Sequence, residues 1–293
     1  MKRRPPMKRL IVTADDFGRS LQVNRAVEDG HVNGILTAAS LMVTEGAVED
    51  AVERARRLPH LGVGLHVTLV DGIPALPPSE IPDLVDGGGL FTLDLVRLGA
   101  RIFLSKAAQR QAAAEMRAQF ELFKATGLPL AHVDFHHHYH QHPTVFDLVL
   151  DLAVEYGAPG IRIPWEPPLL SHRARGDRLG TRLFNGIFHW RRNRAMAAKA
   201  RGRGLVVNER AFGLNDSGRM DAAKVHSFLG VLPDGLSEIY CHPATEHWAA
   251  PRPMPPHYRI DEEYKALIAP ENRRKVAELG IHLTTFAAEA ARS

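Results

Sequence analysis

Cysteine is almost absent from this 293-residue chain: Cys241 is the only one. That scarcity excludes a disulfide framework and a thiolate zinc cluster, and makes a reducing compartment the simpler setting. Long apolar runs are missing as well. None approaches the roughly 18–20 residues that span a bilayer. Residues 1–6 are basic, but the apolar stretch behind them, 10–14, is far too short for a signal-peptide core. We read 1–6 as a disordered extension, with Met7-Lys8-Arg9 repeating the opening Met-Lys-Arg as an alternative start, and expect a cytoplasmic protein. No Gly-x-Gly-x-x-Gly follows the first apolar run, so nothing points to a dinucleotide site.

Acids are scarce in one region. Residues 171–205 hold nine arginines and one lysine against a single acid, Asp177, a local charge of +9. The whole chain is +4, which leaves the rest at −5. Basicity this local argues against a general nucleic-acid binder.

What is present is a core-forming sequence, 45% apolar, in which short β-branched runs alternate with helical patterns. Strands are expected over 10–13, 35–43, 63–69, 131–135, 160–163, 205–209, 238–241 and 281–285. Helices are expected over 21–31, 48–58, 106–125, 144–156, 221–229 and 262–269. Repeated strand–helix units imply a parallel sheet with crossover helices. Seven or so units suggest a distorted (β/α) TIM-like barrel, one domain over 7–293, with an open doubly wound sheet as the alternative.

The polar residues fall where such a barrel concentrates chemistry. Asp15 and Asp16 follow the first strand, His66 lies within or at the end of the third, His136 follows the strand over 131–135, and His242 follows the strand over 238–241. In a parallel barrel these ends open on one face, where active sites sit. Two adjacent carboxylates after a buried strand repel each other unless a cation lies between them. The bland reading of either aspartate is a helix cap, and of His66 a satisfied core imidazole. Their convergence favours one divalent ion held by one carboxylate and two imidazoles, a set that suits zinc without excluding magnesium, manganese or cobalt. The second aspartate is then free as a general base, and His242 is placed to protonate a leaving group. The stretch from His132 to His142 holds six histidines. They cannot all bind one ion, so some serve as partners of ligands or as substrate contacts, and Asp134 is a candidate to orient a ligand imidazole.

Thr13-Ala-Asp-Asp-Phe-Gly18, Gly64-Leu-His66, His132-Val-Asp-Phe-His-His-His138 and Glu238-Ile-Tyr-Cys-His-Pro243 together resemble the YdjC-type carbohydrate deacetylases. The resemblance implies a distorted barrel and metal-dependent removal of an N-linked acetyl group from an amino sugar. It implies Asp16, His66 and His136 as metal ligands, Asp15 as base and His242 as acid. Within that family, Thr37-Ala-Ala-Ser-Leu-Met-Val43, the stretch from Val70 to Asp86 and Phe212-Gly-Leu-Asn-Asp-Ser-Gly218 resemble the hopanoid-biosynthesis (HpnK-like) branch. That implies an N-acetylglucosaminyl hopanoid, a lipid with a sugar head, as substrate. Soluble chitooligosaccharides, or a catalytically silent binding barrel, are the alternatives.

Two further expectations concern the substrate and the membrane. His138, Arg162 and Trp165, the last beside Glu166, are assigned to substrate, with Asp15 as the other partner open to Arg162. Phe188, Trp190, Arg191 and Arg192 are assigned to peripheral contact with an anionic membrane. The oligomeric state is not readable.

Overall fold

Eight consecutive buried residues, Leu10 to Phe17, make the first strand the axis of the molecule. A strand hidden on both faces must be covered on both, which is the condition of a parallel sheet wrapped by helices. The computed structural model describes residues 7–249 and 253–292. The extension expected at residues 1–6 lies outside the described residues.

The strands are β1 (Lys8–Phe17), β2 (Ala38–Leu41), β3 (Gly62–Val67), β4 (Val133–Phe135), β5 (Arg210–Phe212), β6 (Gly235–Cys241) and β7 (His282–Leu283). Their order is β4-β3-β2-β1-β6-β5, with β7 paired to the start of β1 at Arg9 and Leu10. Every pairing is parallel. Residues 159–165 carry the curl onward. On one side they bond β4, through Val133 N–H to Gly160 and Arg162 N–H to Val133. On the other, Ile161 N–H donates to Val206 and Ala211 N–H to Trp165. The sheet is thus a curled, distorted barrel in a single α/β domain.

The strands expected over 160–163 and 205–209 prove to be isolated bridges, at Val133–Ile161 and Gly160–Val206. Pro159 and Pro164 cannot donate to a ladder. The side chain of Asn208 stands in for the backbone instead: its Oδ1 accepts from Ile163 N–H at 2.7 Å and its Nδ2 donates to Ile163 C=O at 2.9 Å. The regular strand starts later, at Arg210.

Helices not expected from the sequence include Leu95–Leu104, capped by the Asp94 side chain on Arg97 N–H, and Pro270–Glu278, opened by its proline. The basic excursion is also helical, as Pro168–Arg175 and the 24-residue Leu179–Gly202. None of the helices among the described residues is long and apolar enough to cross a membrane.

Candidate metal centre and active site

Strand alternation sends adjacent side chains to opposite faces, yet Asp15 and Asp16 both line one cavity. The break is visible in the backbone. The β1–β2 register shifts between Ala14 and Phe17, and Asp16 has φ of +63°. An irregularity of this bulge type re-aims a side chain next to a functional site. Asp16 is also one of the residue types that tolerate left-handed backbone.

Asp16 Oδ1 then lies 3.1 Å from His136 Nδ1 and 3.5 Å from His66 Nε2, while the two ring nitrogens are 3.3 Å apart. The side-chain pair His66 Nδ1 and Asp134 Oδ1 is bonded at 2.8 Å, so the Nε2 lone pair of a neutral His66 points at Asp16. Asp16 Oδ1 is buried without an aligned hydrogen-bond partner. Three converging lone pairs repel one another unless a cation lies between them. Their spacing also suits one, since ligand bonds of about 2.0–2.1 Å in a tetrahedron set donor atoms about 3.3 Å apart. These residues fit a metal ion. Without a cation, the same groups act on each other's protons. Burial would raise Asp16, but His136, His66 and Arg19 hold it well below the ordinary carboxylate range. Burial would lower His66, but Asp134, with Asp16 and Asp15, lifts it to about 10.

Asp15 faces a different partner. Arg162 grips it with two parallel bonds, Nη1 to Oδ2 at 2.8 Å and Nη2 to Oδ1 at 2.9 Å. The same guanidinium reaches Asp134 Oδ2 at 2.7 Å and Glu238 Oε1 at 2.9 Å, and it lies over the Tyr240 ring. Arg162 is 0% exposed and does not line the cavity. Its expected substrate contact is therefore replaced by the Asp15 alternative, because three buried acids enclose it. Beneath the site, Thr13 Oγ1 donates to Glu238 and Ser40 Oγ to Asp134, each at 2.7 Å. The barrel interior is accordingly a polar network rather than an apolar plug.

His242 lines the cavity from the end of β6. Burial lowers its pKa, with Asp16 and Asp15 opposing. Its backbone N–H donates to Glu263 at 2.5 Å, and its Nδ1 is 4.0 Å from the same carboxylate. Burial pushes Glu263 up to about 7. His138 also lines the cavity, edge-on to Tyr240 at 5.0 Å between ring centres. The cavity, of about 230 Å³, is completed by Arg19, Asp71, His137, Ser217 and Tyr258, among others.

Trp165 is not among the lining residues. It borders a separate crevice with Trp190 and Asn193, so its expected sugar contact is corrected. The peptide N–H of Trp165 donates to Ile163 C=O and its C=O accepts from Ala211 N–H, which ties the residue into the barrel wall. Glu166 is likewise occupied, by Ser171, Arg182 and the peptide N–H groups of Gly213 and Asn215. Sequence reasoning passed over Arg19, Asp71, Glu263 and Tyr258. Asp71 lies 3.5 Å from His136 Nε2 and 3.6 Å from His137 Nε2, on a loop with no periodic pattern to mark it. Glu238 and Tyr240 are buried too, and their alternation along β6 is a period of two that could have marked them as facing one side.

Residues 9–278 match the model of the YdjC-like protein family. The chain belongs to that family. A carbohydrate deacetylase of Brevibacillus brevis is 40% identical over 181 residues, which are 62% of this chain and 68% of that protein. A second, from Geobacillus stearothermophilus, is 39% identical over 149 residues, 51% of this chain and 57% of the relative. The chain thus aligns with about two thirds of the first relative and somewhat over half of the second. A crystal structure from Enterococcus faecalis V583, of a protein provisionally assigned to cellobiose-phosphate cleavage, superposes with a TM-score of 0.73. That match covers 96% of this chain and 98% of the other at 24% identity, and speaks to the fold alone.

Proposed function

We propose that this YdjC-like protein is a carbohydrate deacetylase that hydrolyses the acetamide of an N-acetylated amino sugar. We further propose that its sugar is the head group of a lipid, as the resemblance to the hopanoid branch implies, handled at the cytoplasmic face of the membrane. One observation carries the reading: a cavity that joins the Asp16–His66–His136 cluster to a second carboxylate, Asp15, and an imidazole, His242.

A divalent cation, zinc or magnesium, held by Asp16, His66 and His136 would supply Lewis acidity toward the amide carbonyl and toward water. Asp15 takes a proton from water as its oxygen bonds to the carbonyl carbon. The Arg162 fork fixes the direction in which that carboxylate presents its oxygens. His242 delivers a proton to the amine nitrogen as the C–N bond breaks, leaving acetate and a free amine. His138 and Tyr258 stand beside these groups as sugar contacts. A cavity of about 230 Å³ is smaller than most drug-sized pockets, roughly 300–1,000 Å³. It suits one sugar unit with the remainder of the substrate outside.

A soluble chitooligosaccharide would meet the same catalytic groups. A silent binding barrel would need neither Asp15 nor His242. The test is acetate release from an N-acetylglucosaminyl lipid and from a chitooligosaccharide, with metal content measured on the same sample and after chelation. Turnover favouring the lipid and lost on chelation is expected. Release from neither substrate by metal-loaded protein would overturn the deacetylase reading.

A further inference from the structure

Exposed large apolar side chains concentrate on two elements. Leu93, Leu95, Val96, Phe103 and Leu104 are on or beside helix Leu95–Leu104, with Val96 83% and Leu104 80% exposed. Leu179, Phe184, Ile187, Phe188 and Trp190 are on helix Leu179–Gly202, with Phe184 and Phe188 stacked at 5.7 Å. Isolated apolar residues on a surface mean little, but clusters of this kind mark an interface.

Both helices anchor on the short segment that carries the site histidines, His136–Gln141. Tyr139 Oη donates to Leu95 C=O at 3.0 Å, and the Phe103 and His142 rings meet at 6.2 Å. From the second helix, Arg192 Nε donates to Gln141 C=O at 3.0 Å. Asn193 and Gln141 both donate to Pro164 C=O. The two helices that carry the apolar clusters therefore flank the element that holds His136 and His138.

Charge selects the occupant. Residues 93–110 contain Arg97, Arg101, Lys106 and Arg110 against one acid, the helix cap Asp94; residues 178–208 contain eight Lys and Arg and no acid, although Arg178, Lys199 and Arg203 pair with Asp216, Asp147 and Asp151. Arg182 is buried against Glu166 and Asp216, and Arg192 folds over Phe146 at 5.4 Å. Arg192 is thereby removed from the contact expected of it. Arg97, Lys106, Arg191 and Arg194 are exposed among the apolar side chains.

We infer that these two helices are a paired docking surface for an anionic phospholipid bilayer, which brings the metal cavity to the head-group layer. Aromatic and aliphatic side chains enter the interface while the arginines meet lipid phosphates. Neither helix acting alone accounts for clusters on both sides of one segment. The inference is independent of the chemistry proposed above, because vesicle binding is read without turnover and turnover on a soluble substrate is read without vesicles.

The experiment is co-sedimentation of the full chain with vesicles of phosphatidylcholine, with and without phosphatidylglycerol, across a salt series. Two surface variants, V96S/L104S and F184S/F188S, are compared with the unaltered chain, and analytical ultracentrifugation is run on all three. The expected result is partition onto phosphatidylglycerol vesicles that weakens with salt and falls at least tenfold in each variant. Acetate release from a soluble substrate should stay within twofold. Absence of vesicle binding by the unaltered chain, or full binding by both variants, overturns the inference. A dimer that the substitutions dissociate, without vesicle binding, would assign these faces to a second copy instead.

Discussion

Replacing Arg162 by methionine keeps most of its volume and removes its charge from a place no water reaches. Three acids lose this guanidinium at once: Asp15, Glu238 and Asp134, the last of which keeps His66. Removing one partner from a buried ion pair costs roughly 3–5 kcal/mol, because the other charge stays buried alone. With three acids on one guanidinium the upper part of that range is expected, or a fall in Tm of roughly 6–10 °C. The size of the loss should depend on pH. Burial already raises Glu238, and without Arg162 it loses the main charge opposing that rise, so its folded pKa would lie further above its unfolded one. The variant's stability is then fully present below the unfolded pKa, about 4, and lost as pH rises through the raised folded values. The gap between variant and parent should therefore be wider at pH 8 than at pH 5.

Chemical denaturation at both pH values, with and without added metal, measures the gap. Acetate kinetics on the folded fraction measures the other consequence. Loss of the fork from Asp15 should lower kcat with little change in KM, whereas a substrate-binding arginine would raise KM and leave stability intact. Arg162→Lys should rescue little, since one ammonium lacks the planar fork that grips Asp15. A variant within 1 kcal/mol of the parent at pH 8 (the scale of an ordinary surface change) would refute the reasoning.

Asp15→Asn should retain metal and lose turnover by roughly 10²–10⁴; loss of metal from this variant, measured by elemental analysis, would reverse the roles of the two aspartates. Asp16→Asn should lose bound metal, read the same way. Glu263 has a folded pKa of about 7 against an ordinary 4.5, so its contribution is present below pH 4.5 and lost as pH rises through 7. Glu263→Gln should flatten the stability profile between pH 5 and 8 by up to roughly 3 kcal/mol, followed by denaturant titration. Gly64→Ala would place a methyl group 2.4 Å from the buried His132 ring, and a loss of roughly 1–3 kcal/mol is expected for overpacking there, read as a drop in Tm.

The regular parts of the fold were legible because they obey a period. β3 and the helix Lys106–Ala125 sit where apolar patterning puts them, whereas β6 starts earlier, at Gly235, and β1 runs on to Phe17, so Asp15 and Asp16 lie in its last residues and not after it. The parts that were not legible depend on partners distant in sequence. Residues 159–165 join the barrel through the amide of Asn208, which no local pattern announces. Helix Leu95–Leu104 buries only Leu98 and Ile102, a single narrow stripe, and leaves its other apolar residues outside. The Gly160-Ile-Arg-Ile-Pro164 stretch read equally well with Arg162 facing substrate or acid. Only the approach of β1, β4 and β6 decides it.

That approach also gives the neighbouring aspartates different partners. An unbroken β1 would point one of them into the barrel and the other away. The irregularity at Asp16 brings both to the cavity, at a backbone cost of order 1–3 kcal/mol for a left-handed residue other than glycine. Asp15 keeps the inward direction of the strand, and so meets Arg162 and the polar interior. Asp16 is turned toward His66 and His136, and keeps one oxygen without an aligned donor. A helix cap would account for neither the strain nor the orphaned oxygen. A cation between Asp16 and the two imidazoles would account for the orphaned oxygen, and would leave Asp15, paired with Arg162, as the second carboxylate lining the cavity.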